Sequence, residues 1–148
     1  MSIWQPSDPN YETRVRASFD RQEVMTTFGA SLVRLSPGEA EIEFPYAPGL
    51  TQHNGYIHAG VITTVVDSAC GYAAYTLMPA DSDVLSIEYK VNFMSPALGE
   101  KFRGVGRVVK AGRTVTVCSG DVIAIANGVE KVVATMLATM ITMKTEQK

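Results

Sequence analysis

Across residues 57–78 the chain is apolar or small almost throughout, and Asp67 is the one side chain there expected to be ionised at neutral pH. An unpaired charge in such surroundings is costly, so this carboxylate is expected to be poorly hydrated and either paired, hydrogen-bonded or neutralised. Just ahead of it, the stretch Gln52-His53-Asn54-Gly55-Tyr56-Ile57-His58-Ala59-Gly60 carries both histidines of the protein. Small residues at a helix start, here Ala59 and Gly60, offer unpaired N–H groups to an oxygen on which negative charge develops. A carboxylate that can act as base or nucleophile, a polarised carbonyl and water together describe acyl transfer.

The element that must position these groups is a helix predicted over 57–78. Val61, Ile62, Val65, Val66, Ala69, Cys70, Ala73, Ala74 and Leu77 cover most of its circumference, the pattern of a helix wrapped by other structure. His58 and Asp67 are nine residues apart, about 13 Å along the axis and on roughly opposite faces, so they do not meet on one helix. Two copies paired about a twofold axis with antiparallel helices bring the start of one helix to the middle of the other. Two equivalent sites shared across a homodimer are therefore expected.

The remaining elements must wrap that helix. Asp8-Pro9 is a helix-start signal, and Tyr11, Val15 and Phe19 share the face of a short amphipathic helix. Asp20 with Glu23 resembles a capping box for a second short helix that Gly29 stops. Residues 30–35 and 39–46 read as a hairpin with Ala40, Ile42, Phe44 and Tyr46 on one face. Strands are predicted at 84–94, 101–110, 114–126 and 129–143, separated by turn material and expected to form an antiparallel meander. In the last of them Val132, Ala134, Met136, Ala138 and Met140 face one way, and Val133, Thr135, Leu137, Thr139 and Ile141 the other. Neither side is strongly polar, so one can wrap the helix while the other meets another subunit. The expected fold class is α+β, one antiparallel sheet curled around one central helix. It forms a single domain over 1–148, with a helical segment at 1–28 and a core at 30–143.

Composition narrows the partners. A net charge of −2 with 19% charged residues gives no reason to expect nucleic acid or an anionic membrane surface. His58, Asp67 and the hydroxyl residues of 57–78 make a membrane span expensive. Cys70 and Cys118 lack CxxC spacing and read as reduced core residues of a cytoplasmic protein rather than metal ligands, and the N-terminus has no basic start followed by an apolar run. No metal or redox cofactor is expected. Gly104 and Gly106, inside a strand, are too small a fragment of a dinucleotide motif to suggest a nucleotide cradle.

Gln52-x-x-Gly55-x-x-His58-Ala59-Gly60 followed by Asp67 resembles the motif of the hotdog-fold acyl-CoA thioesterases of the phenylacetate-pathway, PaaI-like branch. Asn92-Phe93-Met94-Ser95-Pro96-Ala97 with Gly99-Glu100 resembles that family's next strand and turn, and the likeness runs from about residue 28 to the C-terminus. The resemblance implies a hotdog fold, a dimer or dimer of dimers, and hydrolysis of an acyl-CoA, aryl or medium-chain, to free acid and CoA. It implies that Asp67 is general base or nucleophile, that the Ala59 N–H polarises the thioester carbonyl, and that Gln52 and His58 place substrate or water. Ser86 would orient the attacking water, Arg113 and Lys110 would meet the CoA phosphates, and Asn54, Gly55 and Tyr72 would border the substrate. Ala59 departs from the family pattern, which has glycine there.

Plainer roles stand beside these: Asp67 pairing with Arg113, Gln52 tying down its own loop, His58 satisfying the helix entrance. Two rival functions also stand. One is an enoyl-thioester hydratase or dehydratase, whose early His-Phe-Pro, or Asp followed five residues later by His, is absent here. The other is an acyl-CoA-binding hotdog protein without chemistry.

Overall fold

A computed structural model describes residues 3–145; Met1, Ser2 and 146–148, the ends of the span read above as one domain, lie outside the described residues. Two short helices, α1 (Tyr11–Asp20) and α2 (Glu23–Thr27), precede strands β1 (Ser31–Ser36) and β2 (Glu39–Pro45). The central helix α3 (Ala59–Tyr75) follows, then β3 (Ser82–Phe93), β4 (Lys101–Ala111), β5 (Val115–Ala126) and β6 (Val129–Lys144). Helix α3 is shorter than predicted at both ends. Ile57 forms an isolated bridge with Thr51, and Leu77 and Met78 close turns onto Ala74 and Tyr75. Asp20 ends α1 rather than capping α2, whose N-cap is Gln22 with no side-chain cap bond. Gly29 stops this segment at φ +66°, as its position suggests.

All six strands lie in one antiparallel sheet of order β1-β2-β4-β5-β6-β3. The expected four-strand meander is thus only three strands long, because β3 leaves β4 and pairs with β6 at the far edge. The connection is a crossing, not a hairpin turn: Met94 and Ser95 donate to the Val133 carbonyl, Ala97 accepts from Ile57, and Glu100 joins Ile125 on one side and Tyr46 on the other. That crossing delivers β4 to the side of β2 and lets the sheet close around α3.

The helix lies very close to the sheet. A Cβ at Gly106 would stand 2.3 Å from the Ala69 backbone, and one at Gly104 or Gly120 would press on Val65 or Val66. These strand glycines are seats for the helix, which is the reason for the GxG fragment. Phe44, Phe102, Ile42, Val65, Val66, Val122, Val133 and Met140 form the fully buried core. In β6, Ala134, Met136, Ala138 and Met140 are buried as expected, but Val132 is exposed and Val133 buried. A register shift against β5 between Val122 and Ile123 flips the strand there, since a one-residue slip exchanges the faces. Tyr46, one residue past β2, is likewise exposed.

Helix α1 is fastened to the far end of α3 by Arg14, which donates to the Tyr75 and Met78 carbonyls, pairs with Asp8 at 2.9 Å and stacks over the Tyr75 ring. The arginine satisfies helix-end carbonyls and complements the negative end of the dipole.

Candidate active site

Asp67 lies midway along α3, half-buried, and its Oδ1 accepts a 2.7 Å hydrogen bond from Ser86 Oγ of β3. Burial pushes the Asp67 carboxyl above the ordinary aspartate value of 3.8, and the serine hydroxyl partly opposes that push by stabilising the charged form. Arg113 is not its partner: that residue borders a separate small cavity with Met78, Pro79 and Thr142. The register of β3 against β6 shifts between Ser86 and Glu88, leaving Ile87 as an extra residue beside the serine that meets Asp67. A cavity of about 480 Å³ opens on the free side of the carboxylate.

At the start of α3, His58 is the N-cap, in extended backbone conformation, and its Nδ1 accepts the Gly60 N–H at 2.8 Å. The bond leaves the proton of a neutral ring on Nε2. Val61 N–H is taken by the His58 carbonyl. Ala59 N–H therefore remains as the open donor of this turn, with no acceptor among the described residues. Of the two donors read from the sequence, Gly60 is already committed to the histidine and only Ala59 is available. Ala59 borders a second cavity, of about 380 Å³, with Gln52, Tyr56, Ile57 and the 93–97 crossing.

Gln52 Oε1 accepts from the backbone N–H groups of Asn54 and Tyr56, which fixes the loop whose turn passes through Gly55 at φ +82°. Its amide Nε2 is the end left for another group. Asn54 contacts His53 on the exposed side of the loop. Tyr72 borders the Asp67 cavity. Lys110 is exposed near the β4–β5 hairpin, and neither it nor Arg113 borders the cavities of Asp67 or Ala59 within one subunit. Both cysteines are buried, with Cys118 Sγ donating to the Cys70 carbonyl; burial pushes the Cys118 thiol to about 12 and the Cys70 thiol higher, so neither is a nucleophile. The described residues include no group of three or more His, Cys, Asp or Glu arranged to hold a metal ion, and no helix among them is long and apolar enough to cross a membrane.

The sequence reading missed Ser18, Arg21, Gln22, Ser68, Gly71 and Asp83, which border the same cavity as Asp67. The signal available for one of them was a glycine in the interior of an apolar helix. For those on α1 and the α1–α2 junction there was none, since their nearness to Asp67 depends on how α1 docks.

Ala59 and Asp67 are eight residues apart on one helix, about 12 Å along its axis, and open into different cavities. One thioester carbonyl does not reach both groups within a subunit.

Known proteins share this architecture. A thioesterase family protein from Silicibacter pomeroyi has 48% sequence identity and superposes with a TM-score of 0.89, covering 90% of this chain and 98% of that one. The PaaI protein of the E. coli phenylacetic acid degradation operon superposes with a TM-score of 0.81 over 92% of this chain and 95% of its own, at 13% identity, a likeness of fold. A candidate esterase of Saccharolobus solfataricus is 32% identical over 95 residues, 64% of this chain and 67% of that protein. The sequence profile of the thioesterase superfamily matches residues 54–131, the span holding the loop, α3 and most of the sheet, and the chain with its wrapped helix belongs to that superfamily and has the hotdog fold.

Proposed function

We propose that the protein is an acyl-CoA thioesterase of the PaaI-like branch, working as a homodimer in which Asp67 of one subunit faces Ala59 of the other. The observation that carries the reading is the pairing of a half-buried carboxylate, held by Ser86 beside an open cavity, with a single open N–H at the start of the same helix. The thioester oxygen accepts from Ala59 N–H, which stabilises the oxyanion. Asp67 either takes the proton of an attacking water or attacks the carbonyl itself to form an acyl-aspartate that water then opens; both routes release CoA thiol and free acid. Ser86 keeps the carboxylate aimed, Gln52 borders the Ala59 cavity with its Nε2 uncommitted, and His58 holds the helix start through its bond to Gly60. Arg113 and Lys110 remain the proposed contacts for CoA phosphates, reached from the partner's site.

A second copy has a place to bind. Strand β3 lies at the sheet edge, and Leu85, Ile87 and Tyr89 are each about half exposed on it. A long apolar edge is an aggregation hazard unless covered, and pairing with the same strand of another copy covers it isologously. Free-thiol release from short, medium, long and aryl acyl-CoAs, by wild type and Asp67→Asn side by side, tests the function. The expected result is release by wild type and a loss of about 10²–10⁴-fold in the variant. Undiminished release by Asp67→Asn would remove the mechanism, and no release by folded dimer would move the assignment to acyl-CoA binding.

A further inference from the structure

The Ser86 hydroxyl has one proton and two acceptors in reach. Its Oγ stands 2.7 Å from Asp67 Oδ1 and 3.2 Å from Met140 Sδ, so it does not donate fully to both at once. The sulfur is fixed in place. Met140 pairs with Ser86 on one side and with Thr116 on the other, it is fully buried, and its Sδ lies under α3, 4.0 Å from where a Cβ on Gly71 would stand. On that side the hydroxyl meets sulfur rather than solvent.

The charge on Asp67 decides between the two acceptors. An ionised carboxylate accepts strongly and a thioether weakly, so the proton points to Oδ1 and the sulfur stands idle. Once Asp67 carries a proton, a different arrangement is better. Oδ1–H donates to Ser86 Oγ, and the serine O–H, turned about the Cβ–Oγ bond, donates to Met140 Sδ. That is a chain of two hydrogen bonds where the ionised state has one, and bonds in a chain strengthen one another. The serine neither gains nor loses a proton. Either route of the proposed hydrolysis takes the charge off Asp67. As general base it gains the proton of the water whose hydroxide adds to the carbonyl carbon; as nucleophile it becomes a neutral acyl-aspartate, and Ser86 Oγ is then free to accept from the water that opens it.

We propose that Met140 is a positioning residue of this site: its sulfur receives the Ser86 hydroxyl when Asp67 is neutral, and so favours the uncharged form of the carboxyl. The catalytic consequence rests on the thioesterase reading of Asp67; the titration does not. Other ionisable groups face Asp67 as well. Asp83 of β3, Arg21 at the end of α1 and Tyr72 of α3 border its cavity, and the buried Cys70 thiol lies on the same helix. None of these is altered in the variants below.

The test follows the Asp67 carboxyl ¹³C resonance against pH in labelled dimer, assigned by its loss in Asp67→Asn, beside kcat and KM for acyl-CoA hydrolysis. Met140→Leu conserves volume and removes the acceptor. It is expected to lower the Asp67 midpoint, and the acid limb of kcat/KM with it, by about half a pH unit, the size of one weak hydrogen bond. At the plateau kcat is expected to fall about threefold with KM unchanged, since the bond is made only after the charge is lost. Met140→Ile, equally without an acceptor, is expected to act alike. In a Ser86→Ala background neither substitution is expected to move the midpoint, because the hydroxyl that links sulfur to carboxyl is gone. An equal shift in both backgrounds would show that residue 140 acts through packing and would overturn the proposal, as would a midpoint unmoved in the presence of Ser86. A midpoint that shifts as expected in a protein releasing thiol from no ester would uphold this inference and sink the thioesterase reading instead.

Discussion

At the scale of single residues, Asp67 pays in stability for what it offers in chemistry. Its folded pKa lies above the ordinary value of 3.8, with burial as the leading cause, so the folded chain holds that proton more tightly than the unfolded one. The favourable contribution is present below the unfolded pKa and lost as pH rises through the raised folded value; at neutral pH the charged carboxylate is a net liability. Asp67→Asn keeps an acceptor for Ser86 and removes the charge, so it is expected to melt higher than wild type at pH 7, by roughly 2–4 °C for each kcal/mol relieved. Paired melts near pH 7 and about pH 3 check this, the gap closing at the acid end where wild type is protonated too. Ser86→Ala removes the bond that opposes the upward shift, so the acid limb of kcat/KM is expected to move to higher pH. An unmoved limb would show that another group titrates. Asp67 was legible in the sequence because a lone charge in an apolar helix needs an explanation. The commitment of Gly60 N–H to His58 was not, since it depends on which way an imidazole turns at the N-cap.

At the scale of elements, the strand glycines that seat α3 contrast with Gly71 inside the helix itself. Gly106→Ala drives a Cβ into the backbone of Ala69 and Cys70, where no flexible side chain can move aside. Helix or strand must shift instead, and a loss of about 1–3 kcal/mol, or more, is expected in chemical or thermal unfolding. Gly71→Ala is expected to change stability in the opposite direction, because it fills no occupied space and favours helix. If both substitutions destabilised alike, helix–sheet proximity would not be what distinguishes them. The strands themselves were readable from alternation and turn residues, and so was the wrapping of one apolar helix. The position of β3 was not: a period of two fixes which face a residue takes but not which strand lies alongside, and the 94–100 crossing carries the same Pro and Gly that mark a hairpin. The same limit hid the wall of the cavity beside Asp67, since α1 docks through Arg14 onto carbonyls more than sixty residues away.

At the scale of the whole molecule, the proposed site belongs to no single chain, and that can be tested without a structure of the assembly. Ala59→Pro is suited to the task. Position 59 opens α3, where proline is well tolerated, and His58 before it already holds the extended conformation (φ −60°, ψ 138°) that a following proline requires. The substitution therefore removes the one open N–H while leaving the helix start in place, and the variant is expected to be folded, dimeric and nearly inactive. Asp67→Asn is expected to be inactive for the complementary reason. A heterodimer of the two has one site with Ala59 and Asp67 both intact and one with neither. Unfolding and refolding an equimolar mixture gives random pairing, so half the dimers carry one working site and activity returns to about a quarter of wild type. A site made within one subunit predicts no recovery, since every chain in the mixture then lacks one of the two groups. Recovery that disappears when Ile87→Lys places a charge on the β3 edge of both chains would further locate the pairing on that strand.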